Sequence, residues 1–106
     1  MITRKEFPVY SGVVKYFPKA LLEVSRVSKV GNDQHNPDQE LHWSKEKSKD
    51  HEDALMRHLL DHSIDPVDTD DQLHLAKVAW RALAALEVYI ETVSYTHLTL
   101  PTICSV

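Results

Sequence analysis

The sequence predicts an all-α fold, a small bundle of about three main helices behind a short extended N-terminal arm. Three observations predict it. Only 2 of 106 residues are glycine and 42% are hydrophobic, which argues against disorder and against a loop-rich fold. Apolar residues recur at helical spacing in three separate segments. Each segment opens on a helix-start signal: Pro18 after Phe17, Ser48, and Thr69 followed three residues later by Gln72. A chain of 106 residues fits one domain with a modest core.

Residues 1–16 form the arm. Val9, Tyr10, Val13 and Val14 alternate around Ser11-Gly12, a pattern for an extended segment or short strand that covers part of the core. Phe17-Pro18 opens the first helix, because proline's fixed φ suits the first helical position. Ala20, Leu21, Val24 and Val27 share one face while Lys19, Glu23, Arg26 and Lys29 turn away, and Gly31 is the expected C-cap. Glu23 belongs to a solvated face or is a metal ligand. The polar run GNDQHNPDQELHW, residues 31–43, reads as turns, and Trp43 at its end needs a surface to pack on, either the core or a base.

The central helix follows the charged lead-in SKEKS, with Ser48 as expected N-cap. Leu55, Met56, Leu59 and Leu60 define its buried stripe, and winding at about 100° per residue puts Glu52 near the middle of that stripe. A buried carboxylate there needs a metal or a cationic partner. His51, His58 and His62 fall on one shoulder; Asp50, Asp53, Arg57 and Asp61 lie mostly on the opposite, polar face. Asp65-Pro66 then turns the chain, and the aspartates up to Asp71 suit the N-terminus of the last helix with Thr69 as cap. Leu73 to Glu91 is the longest periodic stretch. Leu75, Ala76, Ala79, Trp80, Leu83, Leu86 and Ile90 give it a broad apolar face, and its alanines permit close helix approach. His74, Lys77 and Arg81 line another face, either as a solvated cationic stripe or as donors to phosphate oxygens.

A net charge of -4 lacks the basic footprint of a nucleic-acid binder. No apolar run reaches the roughly 20 residues of a bilayer span, and the first residues lack a signal-peptide core, so a cytoplasmic location and no membrane partner are expected. The phosphate-binding glycine loops, the H-E-x-x-H helix and the G-x-S-x-G elbow are all missing. Histidine-rich helices with scattered carboxylates leave metal-assisted hydrolysis as the enzyme class to consider.

The last stretch, residues 93–106, reads VSYTHLTLPTICSV, without a charge. Its codons can be written as a transposase adapter used in building sequencing libraries, so it is expected to be a non-native tail. His97 and Cys104 then carry no functional information, and the domain proper spans 17–92, truncated at its C-terminus.

The order FPKALLEVSRVSKVGND, HNP, LHW, Arg57-His58-Leu59, the aspartate-rich turn and His74-Leu75-Ala76-Lys77-Val78-Ala79-Trp80 resembles a phage-encoded family, the dATP/dGTP diphosphohydrolase N-terminal domain, related to MazG-like helical nucleotide pyrophosphatases. The resemblance implies hydrolysis of a purine dNTP to the monophosphate and pyrophosphate, with Mg²⁺ or Mn²⁺, by a homo-oligomer in the host cell cytoplasm. On that enzyme reading Glu52 and Asp53, with Asp71 as an outsider, are the expected metal ligands, and His51, His58 or His74 ligate or position water. Arg57, Lys77 and Arg81 would contact phosphates, and Asn32, His35, Asn36 and Trp43 the base and sugar. The paired glutamates of MazG-like enzymes, E-x-x-E and E-x-x-D, are not cleanly present: Asp50-x-x-Asp53 echoes one, and His74 stands where an acidic residue is expected. The competing expectation is a non-catalytic phage accessory module that binds a protein partner through the alanine-rich last helix.

Overall fold

The computed structural model describes residues 4–96. Three α-helices carry the fold: α1 at Pro18–His35, α2 at His51–Ile64 and α3 at His74–Thr96. Helix α3 is central and packs against both others, most extensively against α2. Among the described residues there is no strand, only an isolated antiparallel bridge between Val67 and Leu73. The all-α bundle is therefore as the periodicity predicts. None of the helices is long and apolar enough to cross a membrane.

The arm winds up instead of extending. Tyr10–Val14 forms a π-helical turn, with Gly12 N–H bonding Pro8 O at 2.7 Å and Lys15 N–H bonding Tyr10 O at 2.8 Å. Its alternating residues have no neighbouring strand to pair with, and local coiling satisfies the backbone that a lone strand would leave open. Most of the expected tail, residues 97–106, lies outside the described residues, while α3 runs on through residues 93–96.

Helix α1 begins at Pro18 as expected but continues through Gly31 to His35. It stops where Pro37 can offer no N–H. Asn36 N–H bonds Asn32 O at 2.7 Å, and Asp38 then takes a left-handed φ of 65°. Helix α2 starts after Asp50, not after Ser48, whose ψ of 126° is extended. Helix α3 starts at Leu73-His74 because the Leu73 carbonyl accepts from Ala76 and Lys77; Thr69 is occupied in a turn with Asp68 and does not cap it.

The largest departure concerns which side of α2 faces inward. His51 and Ala54 are its buried residues, at 4% and 1% exposure, whereas Glu52 is exposed and Met56, Leu59 and Leu60 lie largely in solvent. His51, Ala54, His58 and His62 recur at intervals of three and four residues, so the inward stripe is turned by about 100°, one residue's winding, from the aliphatic stripe. Among the described residues the buried apolar ones are all alanines, Ala54, Ala76 and Ala84, and no large side chain is fully buried. Small residues let α2 and α3 approach closely, and the half-polar α2 face meets them. Glu52 then needs no buried partner, because solvent supplies one.

Candidate functional site

The site is built where the end of α1, the loop before α2 and the first turns of α3 converge on the inner face of α2. An open cleft of about 760 Å³ lies there, a size suited to a small-molecule ligand. Asn32, His35, Asn36, Trp43, Lys77 and Arg81 all line it, with His58 among them; Arg57 does not. Arg57 instead reaches Asp50 at 3.4 Å on the outer side of α2.

At one end the cleft is aromatic. Trp43 meets Trp80 edge to face at 5.5 Å between centroids, and His51 lies 6.2 Å from both rings. Trp80 donates its indole N–H to Ser28 Oγ at 2.8 Å, which ties α3 to α1. Lys45 sits over Trp43 and bonds Glu91 at 2.8 Å, fastening the loop to α3. Arg81 lies over Trp80 and donates to His51 Nδ1 at 3.0 Å. That bond makes Nδ1 an acceptor and puts the ring proton on Nε2, a buried atom with no hydrogen-bond partner in the structure. Asn32, buried at 6% exposure, uses its amide on the loop backbone: Nδ2 donates to Gln39 O and Oδ1 accepts from His42 N–H. Its first role is thus to shape the cleft wall.

At the other end stand histidines and carboxylates. The loop between α2 and α3 is a small clasp: Asp68 N–H bonds Gln72 O, Asp71 N–H bonds Asp68 O, and His74 N–H bonds Pro66 O. Asp71 occupies the left-handed region at φ 65°, a conformation that aspartate tolerates better than most residues. The clasp delivers His74, at 5% exposure, to His58, so that the two Nδ1 atoms lie 3.0 Å apart. Burial, followed by the charge of Lys77 and the neighbouring imidazole, pushes the His58 pKa down. Asp68 Oδ2 lies 3.8 Å from His74 Nδ1 and 2.6 Å from Lys77 Nζ, and Asp70 takes the same ammonium at 2.7 Å. Burial pushes the Asp70 carboxyl up, but hydrogen bonds from Lys77 and Gln72 outweigh it and hold it at about 2. The hydrogen bond from Lys77 likewise lowers Asp68. Lys77 is raised: burial opposes its charge, and the two aspartates more than restore it. It is committed to them in this state.

The residues expected to hold metal are placed apart from the histidines. Glu52 and Asp53 lie on the exposed face of α2, and Asp71 is 90% exposed at its side chain, with Arg26 at 3.8 Å. Among the described residues, the group of donors close enough to hold one cation is His58, Asp61 and His74, whose ligand atoms lie within 4.8 Å of one another. Asp61 is exposed, as its place on the polar side of the sequence pattern predicts. His58 and Asp61 stand three residues apart, a spacing that puts both on one side of a helix, and that was the available signal. Sequence pattern alone does not single out Trp80, Asp68 and Asp70 for the site, because their partners are distant in sequence or masked by the capping pattern.

Fold and cleft together define a small all-α domain with an aromatic, cationic cleft that ends in a histidine and carboxylate cluster. The chain belongs to the family described as dATP/dGTP diphosphohydrolase, N-terminal, whose model matches residues 6–97. That match takes in much of the arm as well as the bundle. Comparisons with curated proteins and with solved structures gave no match.

Proposed function

We propose that this chain is a metal-dependent pyrophosphohydrolase of purine deoxynucleoside triphosphates, converting dATP or dGTP to the monophosphate and pyrophosphate in the cytoplasm of a phage-infected cell. The family name points to this substrate, and the supporting observation is the cleft that unites Trp43, Trp80 and Arg81 with His58. A purine stacks on exposed indole surface of Trp43, and Asn36 and His35 offer hydrogen bonds to base edge or sugar. Arg81 supplies a guanidinium for phosphate oxygens, and release of His51 frees its donors. Lys77 joins when a phosphate displaces Asp68 or Asp70. His58, which lines the cleft with His74 packed behind it, orients the attacking water, which breaks the bond to the leaving pyrophosphate.

A divalent cation, Mg²⁺ or Mn²⁺, supplies charge neutralisation on the triphosphate when bound. Glu52, Asp53 and Asp71 do not form a closed oxygen cage for Mg²⁺, which favours its arrival with the nucleotide. The outward apolar residues Leu60, Ile64 and Tyr89, at 64, 84 and 66% exposure, support a homo-oligomer in which a second subunit covers them.

Incubation with each dNTP and Mg²⁺ or Mn²⁺ tests the reading, with products resolved by phosphorus NMR. Monophosphate and pyrophosphate from dATP or dGTP are expected, and kcat/KM should fall at least about tenfold in Trp43→Ala and Arg81→Ala. No product from any dNTP, with helicity intact, sinks it in favour of a non-catalytic module.

A further inference from the structure

We infer that His58, Asp61 and His74 form a divalent-cation site of the nitrogen-rich kind, suited to Mn²⁺, Co²⁺, Fe²⁺ or Zn²⁺ and selective against Mg²⁺. The inference deepens the metal dependence proposed above, but its grounds are the donor set and its geometry. Helix α2 supplies His58 and Asp61 one turn apart, and α3 supplies His74 as its first residue. All three donor atoms fall within 4.8 Å of one another.

The separation of the two imidazoles, the length of an N–H···N hydrogen bond, also fits a shared ion. Two nitrogens each about 2.1 Å from a cation lie about 3.0 Å apart at a right angle and about 3.4 Å apart in a tetrahedron. The His58 and His74 Nδ1 atoms lie 3.0 Å apart. Two imidazoles that meet through the same nitrogen can share at most one proton, so at least one of the two Nδ1 atoms carries a free lone pair. A cation with two open coordination positions takes both once each neutral ring carries its proton on Nε2.

The surroundings hold the donors in place. His74 is buried, its backbone N–H is fixed on Pro66 O at 3.0 Å, and Asp68 Oδ2 stands 3.8 Å from its Nδ1, near enough to become a further oxygen donor or to orient the ring. Lys77 would repel a cation if free, but Asp68 and Asp70 balance it. Asp61 is exposed and His58 borders the cleft, so one side of the site stays open to water or to a ligand oxygen. Magnesium prefers near-octahedral oxygen and binds imidazole poorly, whereas the later divalent ions accept it readily.

The test is a titration of the tag-free full chain with Co²⁺, followed by visible absorption and equilibrium dialysis, with Mn²⁺, Zn²⁺ and Mg²⁺ as comparisons. One equivalent of Co²⁺ should bind at least tenfold more tightly than Mg²⁺. His58→Ala, at the half-buried rim, should weaken it at least tenfold, and Asp61→Asn several-fold, each with helical circular dichroism retained; Glu52→Gln with Asp53→Asn should leave it unchanged. Magnesium bound as tightly as cobalt, or cobalt binding undiminished in folded His58→Ala, overturns the inference. Because no readout involves nucleotide, cobalt binding without hydrolysis leaves the site standing and overturns only the catalytic proposal. Magnesium-driven hydrolysis without a histidine-dependent cobalt site does the reverse.

Discussion

The two faces of α2 differ in what they contribute. Its inward face presents His51, Ala54 and His58 to α3, while Met56, Leu60 and Ile64 point outward at 52, 64 and 84% exposure. A helix in a small monomer ordinarily does the opposite, because burying aliphatic side chains contributes roughly 1.5–3 kcal/mol each. Here the interior is occupied by groups that need specific partners: His51 meets Arg81, and His58 meets His74. The difference teaches that this chain gives up apolar burial on α2 and places partnered polar groups inside, while the aliphatic stripe stays exposed.

The strongest challenge to that comparison is on the inside. Trp80 joins α3 to Ser28 and packs on Trp43 and His51, so Trp80→Ala should lower unfolding stability by about 3 kcal/mol, read from urea denaturation. If the inner packing were incidental, the urea midpoint would barely move. Ala54→Leu tests the close approach of α2 to α3: Ala54 is 1% exposed, and overpacking there should cost about 2 kcal/mol.

The clasp supplies a pH-dependent test. Asp70 sits at about 2 in the folded chain against an ordinary 3.8. A depressed carboxyl contributes stability that is complete above the ordinary value and disappears as pH falls from 3.8 through about 2. The loss should amount to about 1–2 kcal/mol for this partly buried group. Lys77→Met removes its chief hydrogen-bonding cation, so urea midpoints at about pH 5 and about pH 2.5 should differ less in the variant than in the wild type.

Smaller effects belong to the outside. Leu60→Lys combined with Ile64→Lys should keep helicity and yield a smaller sedimenting species, since both side chains are more than half exposed in the single subunit. An unchanged sedimentation coefficient would separate the apolar stripe from self-association. Asp71→Gly should change stability by no more than about 0.5 kcal/mol, because glycine accepts the positive φ and the Arg26 contact is solvent-exposed.

Much of the fold was legible because its signals are local. Proline at the start of α1 and the long period of α3 depend on residues a few positions apart. The cleft residues Asn36, Trp43 and Arg81 were also readable as polar or aromatic groups in want of a partner. The orientation of α2 was not, since a hydrophobic pattern assumes that aliphatic groups face in, whereas here His51 and Ala54 do. Nor could local spacing show that His58 meets His74 across 16 positions, or that Trp80 meets Ser28 across 52.

By itself the sequence determined the helices, their approximate limits, the family and the supply of histidines, carboxylates and indoles. Tertiary structure alone decided which of these meet. Alanines on α3 admit the polar face of α2, and the clasp from Asp65 to Leu73 sets His74 against His58. The physical reason is that helix formation is written in contacts within one or two turns, whereas a site is a set of distances between elements, settled by which faces can approach closely enough to satisfy their buried polar groups.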